Sequence, residues 1–401
     1  MYCKAPHNSI TIQPTGNLSI CCAAQRRWSY GHISEYDNLY DLWEKHQDLH
    51  KLRNDDPALV DYVCGNCLKN AKRGMKNSWY HINVRHESPR ANIEFKSGKI
   101  TFLEFTTSNI CNQSCVTCSS YYSSKWVPLE KEAEELSLDL KSWKDPGNPG
   151  FNDFGAPTYK MSEKDVEKIL PLLPDLEYIV VKGGEPFADN NNYEILKELF
   201  KVNTKCVVDM TTNMSKVPQK YFDLFKNKPN RIQASVSMDG IGKTYEWVRS
   251  TPFEQTIENI ERWRSYDIKG SLNINHRINI FNMFNYNETI EFWNEHTEKY
   301  NASFTQMGWI KEPRFTAPFS ILPHARILEW LESYRKTPEK LSSRMFLGNV
   351  EITDNMLMTL EENAVWSRRM HNYARFMNFK RGIDIYELHP ELYNLPLTLP
   401  E

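Results

Sequence analysis

Ile100-Thr-Phe-Leu-Glu-Phe-Thr106, then Thr107-Ser-Asn-Ile110, then Cys111-Asn-Gln-Ser-Cys115-Val-Thr-Cys118 is the stretch on which the fold turns. Its first part is a short apolar run of β-formers, and its last part is a polar loop with three thiols spaced CxxxCxxC. Five more strand candidates follow, at 176–182, 205–211, 231–238, 270–280 and 302–309, with helical text between most neighbours. Strands alternating with helices predict a parallel α/β sheet whose ligands gather beyond the C-terminal ends of the strands. The cysteine loop stands at such an end.

Working outward, the nine cysteines fall at 3, 21, 22, 64, 67, 111, 115, 118 and 206, so all but the last precede residue 119. The 401 residues are 40% hydrophobic and 25% charged, an ordinary globular balance that needs no disulfides for stability. With 49 Lys+Arg against 51 Asp+Glu, the net charge of -2 gives no general drive toward nucleic acid or an anionic membrane. Residues 1–13 lack a secretory signal pattern, and no run approaches the roughly 18 apolar residues of a membrane span. The expectation is a cytoplasmic protein, and in a reducing compartment clustered cysteines read as metal or redox ligands.

Upstream of the sheet, 9–22 reads as two short strands around the turn Pro14-Thr-Gly-Asn17. Leu39, Leu42, Trp43, His46, Leu49 and Leu52 recur at helical spacing after a cap at Asp37, predicting one amphipathic helix that leads to Cys64-Gly-Asn-Cys67. A linker holding one strand is expected over 77–99. The segment 126–159 is far longer than an ordinary connection and is expected to be a lid or a disordered loop. Helices are expected at 322–335 and 353–378, and extended chain over the last twenty residues. There is no internal repeat of 20 to 50 residues.

Three thiolates can hold three irons of a [4Fe-4S] cluster and leave the fourth open; a zinc site or incidental buried thiols are the alternatives. With this triplet the chain resembles the radical S-adenosylmethionine (SAM) superfamily, in which the open iron chelates the amino and carboxylate groups of SAM. Val180-Val-Lys-Gly183-Gly184-Glu185-Pro186 matches that family's GGEP motif: glycines permit close backbone approach, and a carboxylate beside them suits an ammonium group. Thr211-Thr212-Asn213 is similar to its threonine-asparagine-glycine element, with Met214 in place of the glycine. Ser235-Val-Ser237-Met-Asp239-Gly240 resembles its ribose motif, and Arg249 stands where the family's arginine pairs with the SAM carboxylate. For Ser237, Asp239 and Arg249 the alternative is turn formation or a surface ion pair. The family's aromatic residue before the third cysteine is Thr117 here, which leaves the adenine contact to Tyr121 or Tyr122. Asp239-Gly-Ile-Gly-Lys-Thr244 ends like a phosphate loop but lacks its first glycine.

The second cysteine set, Cys3, Cys21, Cys64 and Cys67, resembles the twitch domain, the short form of the SPASM iron-sulfur domain, including Asp41-Leu42-Trp43 and Lys51-Leu52-Arg53. It implies one auxiliary [4Fe-4S] cluster, with structural zinc as the alternative; the domain is normally C-terminal to the barrel. Cys22 is expected to be an alternative ligand or a small buried hydrophobe, and Cys206 a core residue. The expected architecture is a twitch-like α+β domain over 1–80, a partial (β/α)6 radical SAM barrel over 95–310 and a C-terminal helical extension over 311–401.

The resemblance implies reductive cleavage of SAM to a 5'-deoxyadenosyl radical that abstracts a substrate hydrogen, for oxidative modification of a peptide or protein. The alternatives are dehydrogenation of a small sugar or alcohol, and a non-enzymatic iron-sulfur or zinc protein on a decayed barrel. Flavodoxin or ferredoxin is the implied electron donor. No catalytic residue is assigned by the sequence.

Overall fold

The computed structural model describes residues 3–24, 28–72, 99–140, 155–311, 313–334, 341–347 and 358–395. Among these, nine strands form one sheet in the order β2-β1-β3-β4-β5-β6-β7-β8-β9. They are β1 Ser9–Ile12, β2 Leu18–Ser19, β3 Phe102–Thr106, β4 Tyr178–Lys182, β5 Val207–Thr212, β6 Ile232–Ser237, β7 Gly270–Ile278, β8 Ala302–Trp309 and β9 Met345–Leu347. From β3 to β8 the neighbours are parallel and in sequence order, the α/β arrangement of a partial (β/α)6 barrel. Each of the six expected barrel strands is present within two residues of its predicted bounds.

Period-2 side-chain alternation gives the sheet two unlike faces. Leu103, Phe105, Ile179, Val181, Val208, Met210, Ala234, Val236 and Ile274 point one way, are buried, and join one continuous apolar core with the helices. On the opposite, inner face Phe102, Tyr178, Val180 and Val207 make a small separate apolar cluster, with Phe102 and Tyr178 stacked at 5.5 Å. Further along the strands that inner face becomes polar.

β1 pairs in parallel with β3, Ser9 opposite Phe102 and Ile12 opposite Phe105, so the first hairpin extends the barrel sheet. The expected single helix is two: α1 Leu39–Lys45, capped by the Asn38 side chain rather than Asp37, and α2 Gln47–Arg53. His46 breaks them with extended backbone, and its ring accepts from Asp48 N as the new N-cap. The hydrophobic periodicity survives because Leu42, Trp43, Leu49 and Leu52 are all still buried. Cys64 and Cys67 follow on α3 Pro57–Lys72, three residues apart on one helix face.

Three other expectations are corrected. The segment expected as lid or loop begins with a helix, α4 Trp126–Glu135, anchored by buried Trp126 and Ala133. β9 adds an unanticipated parallel strand beside β8, and the C-terminal chain is not extended but forms short helical turns at Ile385–Leu388 and Pro390–Asn394. Of the expected helices, α11 His324–Tyr334 and α12 Leu360–Arg381 are present; between them and α4 come α5 Glu163–Ile169, α6 Asn190–Val202, α7 Gln219–Phe225, α8 Gly242–Arg249, α9 Phe253–Ser265 and α10 Tyr286–His296. The expected linker strand lies outside the described residues, as does most of 126–159 beyond 140. Among the described residues no helix is long and apolar enough to cross a membrane.

Candidate cluster and cofactor site

The loop from β3 to α4 carries Cys111, Cys115 and Cys118 and has little regular structure, so its shape depends on what grips it. Thr107 and Ser108 donate to Asp189 Oδ2 (2.8 and 2.5 Å), while Asp189 Oδ1 caps α6 by accepting from Asn191 N. Ser114 N donates to Ser250 Oγ (2.9 Å) and Val116 N to Val248 O (2.9 Å), tying the loop to the end of α8. Ser120 N donates to Glu130 Oε1 (2.7 Å) and Trp126 Nε1 to Cys115 O (2.9 Å), tying it to α4. Loops held from several sides are how an irregular segment satisfies its buried backbone groups.

Gly183 and Gly184 meet this loop directly. Gly183 has φ +132°, and a Cβ on Gly184 would sit 2.1 Å from Ile110 O and 2.5 Å from its carbonyl carbon. The close approach expected toward a ligand is therefore also an approach to the cysteine loop, sealed by Glu185 N donating to Ile110 O at 2.8 Å. The Glu185 carboxylate, expected to face an ammonium group, is spent inside the protein. Its Oε1 accepts from Thr212 Oγ1 (2.6 Å) and Phe187 N (3.2 Å), and its Oε2 accepts from Asn213 N (2.7 Å). Burial pushes this carboxyl up to about 7, against the pull of those three donors. Pro186 follows as the first residue of a short turn and is buried.

Asn213 continues the strut: its Nδ2 donates to Asn112 Oδ1 (2.9 Å), inside the cysteine loop. Met214, where the family element has glycine, adopts φ +55° and is fully buried. The left-handed backbone the motif needs is kept, at a strain cost of about 1 kcal/mol that the buried side chain offsets.

Across the site, Arg249 at the end of α8 lies 3.1 Å from Asp239 Oδ2 and donates through NH1 to Cys115 Sγ at 3.3 Å. Burial opposes the guanidinium charge, but Asp239 and Cys115 outweigh it and hold it protonated. Asp239 also accepts from Arg277 N (2.9 Å). The two residues expected on SAM are thus paired to each other, while Arg249 Nε is buried without an aligned hydrogen-bond acceptor. Ser237, at the end of β6 on the inner face, is half-buried. Tyr121 and Tyr122 form an edge-to-face pair at 4.8 Å.

Sequence patterns did not single out the inner wall of the barrel. Lys182 Nζ pairs with Glu104 at 3.0 Å, Tyr178 donates to Asp209 at 2.8 Å, and Asn273 Oδ1 accepts from Ser303 (2.8 Å) and Thr305 (2.9 Å). The signal was period 2: these residues alternate with the apolar ones in strands that otherwise read as buried.

The second cysteine set comes together from three places. Cys3 precedes the turn Ala5–Asn8, Cys21 follows β2, and Cys64 and Cys67 lie on α3. They couple electrostatically: burial, then neighbouring thiols, pushes Cys3 up to about 11 and Cys64 up to about 12, and Cys21 well above its usual range. Arg53 is the tie. It donates to Pro6 O (2.8 Å) and Trp43 O (2.9 Å) and stacks over the Trp43 ring at 4.1 Å, which explains the paired leucine-tryptophan and leucine-arginine elements. Cys22 is exposed, which corrects the buried-hydrophobe expectation, whereas Cys206 is in the core.

All nine cysteines are free thiols. Among the described residues no three His, Cys, Asp or Glu side chains are close enough to share a single metal ion. The donor set nonetheless suits iron-sulfur clusters: seven thiols in two groups, with burial and then neighbouring thiols pushing Cys111 up to about 12 and Cys118 higher still. Beside Cys118 the Ser119 and Ser120 hydroxyls are buried without a hydrogen-bond partner, donors suited to a sulfur or carboxylate acceptor.

Residues 105–293 match the family model of the radical SAM superfamily, and residues 3–68 match SPASM, an iron-sulfur cluster-binding domain. Among solved structures the chain is similar to native anSMEcpe with bound AdoMet, at 14% identity over 74% of this chain and 67% of that one, TM-score 0.38. It is similar to Streptococcus suis SuiB bound to S-adenosylmethionine, at 13% identity over 75% and 64%, TM-score 0.36. It is also similar to TYW1 with a lysine-pyruvate adduct bound, at 14% identity over 59% and 74%, TM-score 0.33. The chain spans about two thirds of the length of the first two. No curated protein matches it. These family matches imply a [4Fe-4S] cluster with SAM and an auxiliary cluster, for which the two thiol groups are the available donors: residues 105–293 form a radical SAM domain, and residues 3–68 an iron-sulfur cluster-binding domain ahead of it.

Proposed function

We propose that this protein oxidises a polar substrate, a peptide or protein in the first instance, held against the inner wall of β3–β8. When bound and reduced, the cluster and SAM supply a 5'-deoxyadenosyl radical that takes a hydrogen atom from the substrate. Cys111, Cys115 and Cys118 hold that cluster; Gly183, Gly184 and the Glu185–Thr212–Asn213 strut keep its loop in place; Arg249, Asp239 and Ser237 face the SAM. Cys3, Cys21, Cys64 and Cys67 hold the auxiliary cluster. Four protein thiols leave it no open iron, which suits accepting an electron and so favours net oxidation over a redox-neutral rearrangement.

The observation that carries the reading is the inner wall: an apolar floor at Phe102 and Tyr178, then donors and acceptors at Glu104, Lys182, Asn273 and Asn275. Amides and hydroxyls can add hydrogen bonds to such a wall, whereas an apolar substrate would cut its polar groups off from water and offer none in return. Relatives of the twitch and SPASM type mostly modify peptides, and a polyol dehydrogenase is the second reading because hydroxyls suit the same wall. Anaerobic incubation with SAM, reductant and candidate peptides or sugars, followed by mass spectrometry, tests it. The expected product has lost two hydrogens, with 5'-deoxyadenosine formed alongside. Cys67→Ala, with its barrel cluster intact, is expected to make 5'-deoxyadenosine and no oxidised product; full product formation removes the electron-acceptor role. Failure to cleave SAM at all, with both clusters in place, sinks the enzymatic reading.

A further inference from the structure

Three consecutive carbonyls of the cysteine loop, those of Ser114, Cys115 and Val116, each accept a hydrogen bond from a side chain of another element. Arg381 NH2 donates to Ser114 O, Trp126 Nε1 to Cys115 O (2.9 Å) and the Tyr373 hydroxyl to Val116 O (2.9 Å). Arg381 also donates through NH1 to Ser114 Oγ (3.0 Å) and through Nε to Trp247 O (3.1 Å), so one guanidinium clasps the loop to α8, which carries Arg249. Tyr373 stacks on Trp126 at 6.2 Å, linking two of the three donors. Two of them belong to α12, which lies beyond both matched regions, 3–68 and 105–293.

We propose that α12 is a working part of the cluster site: Tyr373 and Arg381 are positioning residues for the backbone around Cys115, and the Arg381 charge raises the reduction potential of the cluster ligated there. The inference rests on the family assignment only for the identity of the cluster. Guanidinium geometry is well suited to the task, since its donors in one plane reach Ser114 O, Ser114 Oγ and Trp247 O together. With Arg249 donating to Cys115 Sγ and Arg381 to the preceding Ser114, two cations stand beside the second cysteine of the triplet. Fixed positive charge beside a cluster favours its reduced, more negative state, and net charge and hydrogen bonding are among the protein's means of setting that potential.

The test is a redox titration followed by electron paramagnetic resonance on anaerobically reconstituted full-length protein, the barrel cluster being the signal absent from a Cys111/Cys115/Cys118→Ala variant. Arg381→Gln is expected to lower the midpoint potential of that signal and leave the auxiliary cluster's where it was. Arg381→Lys keeps the charge and loses the fork, so the potential is expected to stay near wild type while a chelator strips the barrel iron roughly fivefold faster. Tyr373→Phe is expected to behave like Arg381→Lys. An unchanged potential in Arg381→Gln at full iron content overturns the electrostatic role, as does an equal shift in both clusters. Wild-type rates of iron release in both Arg381→Lys and Tyr373→Phe overturn the positioning role, and remain decisive if Arg381→Gln does not retain iron. Absence of any triplet-dependent signal in the wild-type protein would instead count against the family reading of the site.

Discussion

The two cysteine sites of this chain are built in opposite ways. Cys111, Cys115 and Cys118 lie within eight residues on an irregular loop, and β4, α4, α8 and α12 all grip it. Cys3, Cys21, Cys64 and Cys67 are spread over 65 residues and meet because one hairpin and three short helices close on each other, with Arg53 tying the helices to the first turn. The triplet has Arg249 and Arg381 beside it, and at both sites neighbouring thiols add to the burial penalty. The first site is local in sequence and tertiary in support, the second tertiary in assembly and local in support. Charge follows the same division: a site with three thiolates and two arginines beside it is easier to reduce than one with four thiolates, because each added electron meets less negative charge.

The strongest way to break this comparison is at Gly184. A Cβ there overlaps Ile110 O at 2.1 Å, so Gly184→Val is expected to displace the cysteine loop rather than only a ligand. Iron is then expected to fall from about eight to about four per chain, the loss of one [4Fe-4S] cluster, with 5'-deoxyadenosine formation abolished. Retention of both clusters in this variant would show that the loop does not depend on the glycine.

Arg249→Ala comes next, because it leaves Asp239, with its side chain 5% exposed, without its ion-pair partner. A loss of about 3–5 kcal/mol is expected in chemical unfolding of the apoprotein. An Asp239→Asn, Arg249→Ala double variant that recovers much of it would assign the loss to the stranded charge. Arg53→Ala probes the other site: two hydrogen bonds and a cation–π contact are lost, and about 2 kcal/mol is expected, with faster iron loss confined to the auxiliary cluster. Equal iron loss from both sites would show that they are one cooperative unit.

The narrowest effect, confined to one pH window, is expected from Glu185. Its folded-state pKa, about 7, is raised above the unfolded value near 4.5, so its protonated form stabilises the fold below about pH 4.5 and that contribution is lost as pH rises to 7. Glu185→Gln is expected to flatten the stability-against-pH curve of the apoprotein over that window and leave its slope above pH 8 alone. A curve unchanged between pH 4.5 and 7 would mean that the three donors dominate burial.

Motifs were legible where function needs particular residues at short spacing. CxxxCxxC and Gly-Gly-Glu-Pro depend on backbone geometry within a turn, and the barrel strands announce themselves as apolar runs because helices cover one face. The break at His46 was not legible, since Leu42 and Trp43 before it and Leu49 and Leu52 after it keep helical phase. Nor was the role of Glu185: a carboxylate beside two glycines suits an ammonium group equally well until Thr212 and Asn213 are seen to occupy it.

By itself, then, the order of residues determined the α/β class, the two thiol sets and the family to which they belong, because spacing along the chain dictates what one loop or one helix face can present. Only the tertiary structure decided that β1 joins the barrel sheet beside β3, that Arg249 pairs with Asp239, and that α12 reaches back to clasp Ser114 and Val116. Those contacts join residues from 10 to 267 positions apart, and a contact between distant segments is set by how helices and strands pack, which no local pattern of residue types encodes.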